Sequence, residues 1–243
     1  GEERRPLRQR VEPRGRRLRR NLVVAAAAAA TIQIADRPFT RPLAALVRRR
    51  RWGLLPRAGL PRWAEGALAF LLLDYTLWIW HVLLHRWTPL WRFHAVHHAD
   101  LDLDASTAFR FHPGELIASV PWRIAQVVLI GAGPEALGRW QSALFLSVMF
   151  HHSNLRLPLA LERALSVFMV TPRQHGIHHS VVPAETDSNW SSLFNVWDRL
   201  HGTLRLDVPD AVTIGLPGPG PSPALPVARL LTMPFEPLPP RSS

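Results

Sequence analysis

The sequence contains no cysteine, and this absence excludes several kinds of chemistry. Disulfides, thiolate zinc sites, iron–sulfur clusters and cysteine nucleophiles are all ruled out, and cysteine usage gives no indication of the redox compartment. Any metal that the chain binds must therefore use nitrogen or oxygen ligands.

Lysine is also absent, so the formal net charge of +11 comes from arginine. The arginines concentrate in residues 1–20 and again between Arg37 and Arg62, and both blocks flank apolar segments. No nucleic-acid-binding motif accompanies them. We therefore expect the basic blocks to meet anionic lipid headgroups, and we expect no nucleic acid partner.

The 243 residues suit one catalytic unit. We predict an all-α, membrane-associated helical bundle with a histidine-lined di-metal site. The predicted divisions are a basic N-terminal segment with a short apolar helix (1–62), a catalytic domain (63–206) and a Pro-rich C-terminal tail (207–243). Within the tail, the proline density predicts extended or disordered chain until about Arg229 to Phe235.

Several apolar stretches suggest contact with a membrane. Ala64 to Leu84 has the length of a spanning helix. Glu115 to Ile130 and Trp140 to Phe150 are separated by a Gly-Ala-Gly-Pro turn signal and read as a shallow helical hairpin. The stretch from Asn21 to Ala35 falls short of the roughly 20 residues that a bilayer requires.

That stretch also has an alternative interpretation. Arg19-Arg20 followed by the alanine run resembles a twin-arginine export signal. This interpretation predicts cleavage near Ala30, whereas the membrane interpretation keeps the segment.

The strongest signal is the clustering of the twelve histidines. His81 and His85 are four residues apart, so they lie on one helical face. Thr88-Pro89 predicts a new helix start, and similar spacing recurs in the two later clusters of three. A single histidine would most often be a core or surface residue. The clustered residues are His81, His85, His94, His97, His98, His151, His152, His175, His178 and His179.

So many clustered histidines exceed the three or four ligands that one zinc ion takes, and they indicate two metals. Imidazole suits iron, zinc, copper and nickel alike, so the element stays open at this point. The predicted hairpin returns the chain to the side where the first clusters lie. We therefore expect all the clusters to meet.

Acidic residues near the clusters are candidates for support. Asp74, two turns before His81, would accept a ring N–H from a ligand histidine or pair with an arginine; alternatively it faces a polar gap. Asp100, Asp102, Asp104 and Glu115 would compensate the charge of the metals, although the Asp-Leu-Asp run also fits a solvated loop.

At these residues the chain resembles the bacterial branch of the fatty acid hydroxylase and sterol desaturase superfamily. The resemblance runs from Asp74 to Thr203 and rests on HVLLHRWTPLWRFHAVHHADLDLDASTAFRFHPGE, FHHSNLRLP, TPRQHGIHHS and ETDSNWSSLFNVWDRLHGT, with a fainter echo towards residue 235. It implies an integral membrane enzyme with a helical core and a cytosol-facing di-iron centre. The implied reaction is O₂-dependent hydroxylation or desaturation of a lipid, with electrons from an external redox partner.

The resemblance also implies roles for individual residues. His152 matches the lone histidine of the family's HxN block, and Asn154 would orient a ligand or substrate. His112 would make a supporting hydrogen bond, and Asn189 and Asp198 would hold the last cluster in place. The implied metal ligands are His81, His85, His94, His97, His98, His152, His175, His178 and His179.

Some positions depart from the family pattern without removing a ligand. Val82 stands where relatives commonly have Arg, His201 where Phe is common, and Asn189-Trp190-Ser191 replaces a small aromatic-glycine word. Two other classes stay open: a zinc-dependent hydrolase, although no HExxH helix is present, and a non-catalytic histidine-rich metal-binding membrane protein. Sterol, acyl chain, ether lipid and carotenoid all remain candidate substrates.

Overall fold

The computed structural model describes residues 2–206, 212–216 and 224–237. In these residues the regular structure is helical, and the only β contacts are three isolated bridges. The prediction of an all-α fold is confirmed.

The first half of the chain forms a long bent helix, a short connector and two helices that meet at a sharp break. The π-helical turn Ile32–Asp36 joins the first two helices, so that they continue one another. Thr88, predicted to begin a new helix, does so. The helices are α1 (Arg14–Thr31), α2 (Arg37–Arg50), α3 (Leu54–Arg57), α4 (Arg62–Arg86) and α5 (Thr88–His98).

The second half contains the predicted hairpin and then short helices. α6 (Pro113–Ile130) and α7 (Pro134–His152) are joined by a tight turn at Gly131. Gly131 has φ 84°, and a Cβ there would lie 2.3 Å from Pro56 Cδ, so only glycine fits. The later helices are α8 (Leu159–Leu165), α9 (Pro172–His178), α10 (Pro183–Thr186), α11 (Val196–Leu200) and α12 (Val227–Thr232), with 3₁₀ turns at Thr107–Phe109 and Met233–Phe235.

Two helical stretches of the described chain are long and apolar enough to cross a membrane, Arg14–Arg57 and Arg62–Arg86. The second contains the predicted span. The first contains the N-terminal apolar stretch that we expected to be short for a span, and the helix around that stretch is longer because it continues through charged residues on both sides. The hairpin helices do not reach the same combination of length and hydropathy.

Two apolar cores hold the bundle together. The larger lies between α2, α4, α6 and α7, where Val47, Leu73 and Val127 are almost fully buried. The smaller packs α12 against α1 and α5 through Leu230, Val24 and Trp91. Part of the predicted tail therefore packs on α1 and α5, while 207–211, 217–223 and 238–243 lie outside the described residues.

A buried ion-pair network joins α1 to the loop after α5. Arg17 donates to both carboxylate oxygens of Asp100, at 2.9 and 2.8 Å, and also pairs with Asp104. Burial would raise the pKa of Asp100, but the charges of Arg110 and Arg17 outweigh it and hold the pKa below its usual value. Arg17 is therefore unavailable to lipid headgroups, whereas most arginines of the first basic block are exposed.

The neighbouring carboxylates are engaged in the same way. Asp102 accepts hydrogen bonds from the backbone N–H groups of Val11 and Glu12, at 2.8 and 3.0 Å. Glu12 in turn binds Arg20. The solvated-loop interpretation of the Asp-Leu-Asp run was wrong, because Asp100, Asp102 and Asp104 are buried. Asp100 and Asp104 also act on His152, whose pKa their negative charges raise against the larger lowering effect of burial. They fix the N-terminal segment to the bundle, and removal of α1 by an export peptidase would leave Asp100 buried without Arg17.

Candidate metal centre

The clustered histidines come together where four helices end. α4 carries His81 and His85 in its last turns, and α5 carries its three histidines at its C-terminus. α7 ends at His152, and α9 contributes the remaining three at its start and end. All nine implied ligands are buried, so the hairpin returns the chain as the sequence predicted.

The nine side chains form two groups, and within each group one nitrogen per residue lies within 4.8 Å of the others. The first group, called group one here, contains His81, His85, His94, His98 and His178. The second, group two, contains His97, His152, His175 and His179.

Neighbouring histidines are divided between the two groups. His97 belongs to group two and His98 to group one, and His178 and His179 are divided in the same way. Consecutive helical residues point about 100° apart, so one turn can serve two centres. This is the geometry that two adjacent metal ions require.

Distances between ring nitrogens match the spacing of ligands around one ion. In group two, His152 Nε2 lies 3.0 Å from both His97 Nε2 and His175 Nε2, and His179 Nε2 lies 3.1 Å from His175 Nε2. Metal–imidazole bonds of about 2.1 Å place neighbouring ligand nitrogens roughly 3 Å apart. In group one, His81 Nε2 and His94 Nε2 are 3.2 Å apart.

Several ring nitrogens would be costly to bury without a metal. His98 Nε2 and His178 Nε2 are buried and have no hydrogen-bond partner among the described residues. A buried polar atom without a partner costs about 1–3 kcal/mol. The donor set therefore fits metal ions that prefer imidazole.

In three of the clustered histidines, a backbone carbonyl oxygen holds the Nδ1 nitrogen. His81 Nδ1 donates to Trp190 O at 2.6 Å, and His178 Nδ1 donates to Ser188 O at 2.8 Å. A neutral imidazole has one N–H, so a ring that donates through Nδ1 turns the Nε2 lone pair inward. His152 makes the same contact with Val148 O of its own helix, at 2.8 Å.

Burial also keeps the histidines in the form that binds metal. It lowers the pKa of His98 and His178 well below the usual value, and the neighbouring histidines lower it further. The rings are therefore neutral, as ligation requires.

Glu115 is the one predicted charge-compensating residue that contacts a clustered histidine. Its Oε1 lies 3.2 Å from His94 Nδ1, and both side chains are buried. His112 caps the same helix, because its Nδ1 accepts from Gly114 N at 2.9 Å while its Nε2 donates to Leu231 O at 3.2 Å. His112 lies in neither group and helps to place Glu115.

The predicted role of Asp74 was wrong. Its Oδ2 accepts hydrogen bonds from Trp197 Nε1 at 2.7 Å and from Phe194 N at 3.2 Å. Within the described part of the chain, Asp74 pairs with neither a clustered histidine nor an arginine. Phe194 lies in the loop before α11 and Trp197 lies in α11, and both pack over this turn of α4 and occupy Asp74. Asp74 therefore fixes α11 to α4.

Asp198 and Asn189 act on different parts of the centre. Asp198 accepts from Trp78 Nε1 at 3.0 Å and from Trp190 N at 3.1 Å, which holds Trp190 O against His81. It therefore supports the first histidine cluster, where we had expected the last. Asn189, with φ 51°, donates to Gln174 O at 3.1 Å and does hold α9.

Asn154 contacts the N-terminal segment, so the prediction that it orients a ligand was wrong. Its side-chain amide pairs with the backbone of Arg8 at 2.8 and 2.9 Å. Arg8 in turn donates to Pro172 O at 2.7 Å, at the start of α9. The Arg8 guanidinium lies directly against Gly176, so a Cβ at this position would displace it. Sequence spacing gave no signal for this contact.

A cavity of about 470 Å³ leads to the histidines from within the bundle. Its walls are mostly apolar, with Leu73, Leu77 and Phe145 among them, and its inner end is formed by histidines of both groups. His151 lines the cavity and is buried but belongs to neither group, whereas His152 belongs to group two.

The comparisons with known proteins agree with this arrangement. The family model for fatty acid hydroxylase matches residues 66–203, more than half of the chain. The chain belongs to the fatty acid hydroxylase family, and so to the superfamily that its histidine motifs resemble.

Several curated relatives match the same region. Ornithine lipid hydroxylase OlsE of Rhizobium tropici is 30% identical over 156 residues, covering 63% of this chain and 46% of the relative. Alkylglycerol monooxygenase of Danio rerio is 28% identical over 152 residues, which cover 63% of this chain and 33% of the relative. Human cholesterol 25-hydroxylase is 29% identical over 139 residues, which cover 56% of this chain and 49% of the relative. Each match thus spans less than half of the relative's length, and no solved structure matches the chain.

Proposed function

We propose that this chain is a membrane-bound, O₂-dependent di-iron enzyme that oxidises a C–H bond of a lipid. The observation that carries the proposal is an apolar cavity whose inner end is built from two groups of imidazole nitrogens. The reported relatives are named as hydroxylases or a monooxygenase, which favours hydroxylation over desaturation here.

The chemistry divides between the metals and the chain. Two bound iron ions would supply electrons to O₂ and so produce an oxidant for an unactivated C–H bond. The histidines hold the ions, and Glu115 contributes negative charge beside His94. The apolar walls exclude water and bind the lipid chain.

Hydroxylation also needs a redox partner. One oxygen atom enters the substrate and the other leaves as water, so each turnover consumes two electrons and two protons in addition to O₂. The chain has no cysteine to hold an iron–sulfur cluster. The electrons therefore come from an external donor that docks on the histidine side of the bundle.

Isotope labelling tests the reaction. The metal-loaded protein, a reductant and membrane lipid extract are incubated under ¹⁸O₂, and the lipids are analysed by mass spectrometry. We expect label in a lipid product, and none with the matched variant His175→Ala, which removes a group two nitrogen. An unlabelled product that forms without reductant would instead indicate a hydrolase, and a protein that binds metal but forms no product would overturn the enzymatic proposal.

Orientation can be tested because the chain lacks cysteine. Arg205 is exposed on the histidine side and Arg57 is exposed before α4, at the opposite end of the bundle. If the centre faces the cytoplasm, Arg57→Cys reacts with an impermeant maleimide in intact cells and Arg205→Cys reacts only in inverted vesicles. The reverse pattern would contradict the proposed orientation.

A further inference from the structure

A row of aromatic rings leads from group one to the surface of the bundle. Trp190 is buried, and its ring centroid lies 6.3 Å from that of His85. The next ring belongs to Trp78 of α4, 6.3 Å from Trp190 in an edge-to-face arrangement. His201 follows α11, is exposed, and stacks on Trp78 at 4.2 Å. The rings therefore form a continuous path between a clustered histidine and an exposed residue.

The outer end of this path carries the only tyrosine of the sequence. Tyr75 lies one turn before Trp78 on α4, and its ring is nearly parallel to those of Trp78 and His201, at 6.1 and 5.7 Å. Its hydroxyl oxygen lies 3.1 Å from His201 Nε2. When the neutral imidazole carries its proton on Nδ1, Nε2 accepts from the phenol. Tyr75 can therefore release a proton to His201 at the moment it loses an electron.

Charged groups beside the two tryptophans give the path a direction. Arg86 Cζ lies 5.3 Å from the Trp190 ring centroid, so a positive charge on this indole is disfavoured. Trp78 Nε1 instead donates to a carboxylate oxygen of Asp198 at 3.0 Å, and the negative charge of Asp198 favours a positive charge on Trp78. Positive charge that reaches Trp190 therefore moves on to Trp78 and away from the metal centre.

A path of this kind suits a centre that forms a strong oxidant. An oxidant that attacks an unactivated C–H bond also oxidises tryptophan and tyrosine, which lose an electron more readily than other aromatic side chains. When the cavity holds no lipid, such an oxidant stays beside the imidazoles and oxidises them unless electrons reach it from elsewhere. The ring path supplies those electrons.

We propose that Trp190, Trp78 and Tyr75 carry oxidising equivalents away from group one when no substrate is bound, with His201 as the proton acceptor for Tyr75. This inference rests on the proposed function, because it needs the oxidant that the proposed reaction forms. The path protects the histidine ligands during reaction with O₂ that is not coupled to a substrate.

Each passage moves one electron inwards. Trp190 loses an electron to the centre and regains one from Trp78, which regains one from Tyr75. The Tyr75 phenol releases its proton to His201 and becomes a neutral radical. The external donor of the proposed reaction then returns one electron to Tyr75, and the proton returns from His201. Two passages reduce the unused oxidant, and its oxygen leaves as water with two protons from solvent.

Flash photolysis tests the path without metal or O₂. Because the sequence has no cysteine, Arg86→Cys provides a single thiol for a photo-oxidising ruthenium polypyridyl label next to Trp190. After a flash in the presence of an electron acceptor, we expect the absorption of a tyrosyl radical, which only Tyr75 can form. The same label on Arg57→Cys, at the opposite end of the bundle, should give no tyrosyl radical.

Variants in the labelled Arg86→Cys protein separate electron transfer from packing. Trp78→Phe keeps a ring in the path but is much harder to oxidise, so the tyrosyl signal should be lost. His201→Phe keeps the stacked ring without a proton acceptor, so a tryptophan radical should replace the tyrosyl radical. The matched control is Trp80→Phe, which changes a tryptophan of the same helix that pairs with Trp122 outside the path and should leave the tyrosyl signal unchanged.

Three flash results would overturn the inference: no tyrosyl signal from the label beside Trp190, an undiminished signal in Trp78→Phe, or an equal signal from the label on Arg57→Cys.

A second measurement separates the path from the oxidation itself. The iron-loaded protein is mixed with O₂ and reductant without lipid, frozen, and examined by electron paramagnetic resonance. We expect a tyrosyl radical that Trp190→Phe abolishes. Absence of this radical in a protein that does incorporate ¹⁸O into lipid would overturn the protective role. Absence of both the radical and the ¹⁸O product, with electron transfer still seen after the flash, would count against the proposed oxidation and not against the path.

Discussion

The division of neighbouring histidines between two groups leads to a specific prediction about metal content. His97→Ala removes a nitrogen from group two, which has four histidines, whereas His98→Ala removes one from group one, which has five. Although the residues are adjacent, the two variants should lose different ions and to different extents.

The expected size follows from the number of ligands. Sites with four protein ligands bind zinc with roughly 10–16 kcal/mol, so one ligand contributes about 3 kcal/mol, or about 100-fold in affinity. His97→Ala leaves group two with three nitrogens and should weaken that ion by about this factor. His98→Ala leaves group one with four nitrogens, so its loss should be smaller.

The assay is dialysis of the iron-loaded protein against graded chelator, followed by elemental analysis. The unmodified protein should hold about two equivalents, and His97→Ala should fall to about one at a chelator concentration that leaves His98→Ala nearly filled. The double variant His97→Ala/His179→Ala, within group two, should also retain about one equivalent. His97→Ala/His98→Ala should lose both ions in two steps, the group two ion first and the group one ion at the higher chelator concentration that empties His98→Ala.

Two outcomes would refute this reasoning. If the two single variants lost metal along the same curve, the groups would not act as separate sites. If His97→Ala/His179→Ala lost both ions together, the nine nitrogens would form one cooperative cluster and the assignment to two groups would be incorrect.

The remaining predictions concern neighbouring groups. Glu115→Gln should weaken metal binding about 10–100-fold in the same chelator assay, because the charge beside His94 is lost; full retention would remove Glu115 from the centre. His152→Ala should abolish activity and lower metal content, whereas His151→Ala should be milder; equal loss of metal would contradict the two-group geometry. Asp100→Asn should lower the free energy of unfolding by about 3–5 kcal/mol, seen as a lower melting temperature, because Arg17 and Arg110 lose their buried partner. Carbonate extraction should leave the chain in the membrane fraction, and release would indicate peripheral association.

The helical fold and the grouping of the histidines could be predicted because both depend on local spacing. His81 and His85 share a face wherever α4 forms, and the hairpin turn needs only its glycines and proline. Local periodicity therefore fixes which imidazoles face inward. His97 and His98 face different groups because consecutive helical residues point about 100° apart. This division also requires the other histidines of each group to be in place.

The supporting contacts could not be predicted in this way, because they join residues far apart in the chain. Asp74 was predicted to contact a ligand histidine or an arginine because it lies seven residues before His81, yet Trp197 of α11 donates to it. Asn154 was assigned to the centre by its place in a motif, yet Arg8 binds it.

Tertiary packing decides which partner a buried carboxylate or amide has. Such a group bonds to the polar atom that the fold places at hydrogen-bond distance, and that atom can lie far away in the sequence. The same limit hides the ion pair between Asp36 Oδ2 and Arg123 Nη1, which are 3.3 Å apart. In the sequence these two residues look like isolated charges in two apolar segments. A charged residue in an apolar segment argues against burial of that segment unless a partner of opposite charge lies close to it in the fold, and the sequence alone does not show that partner.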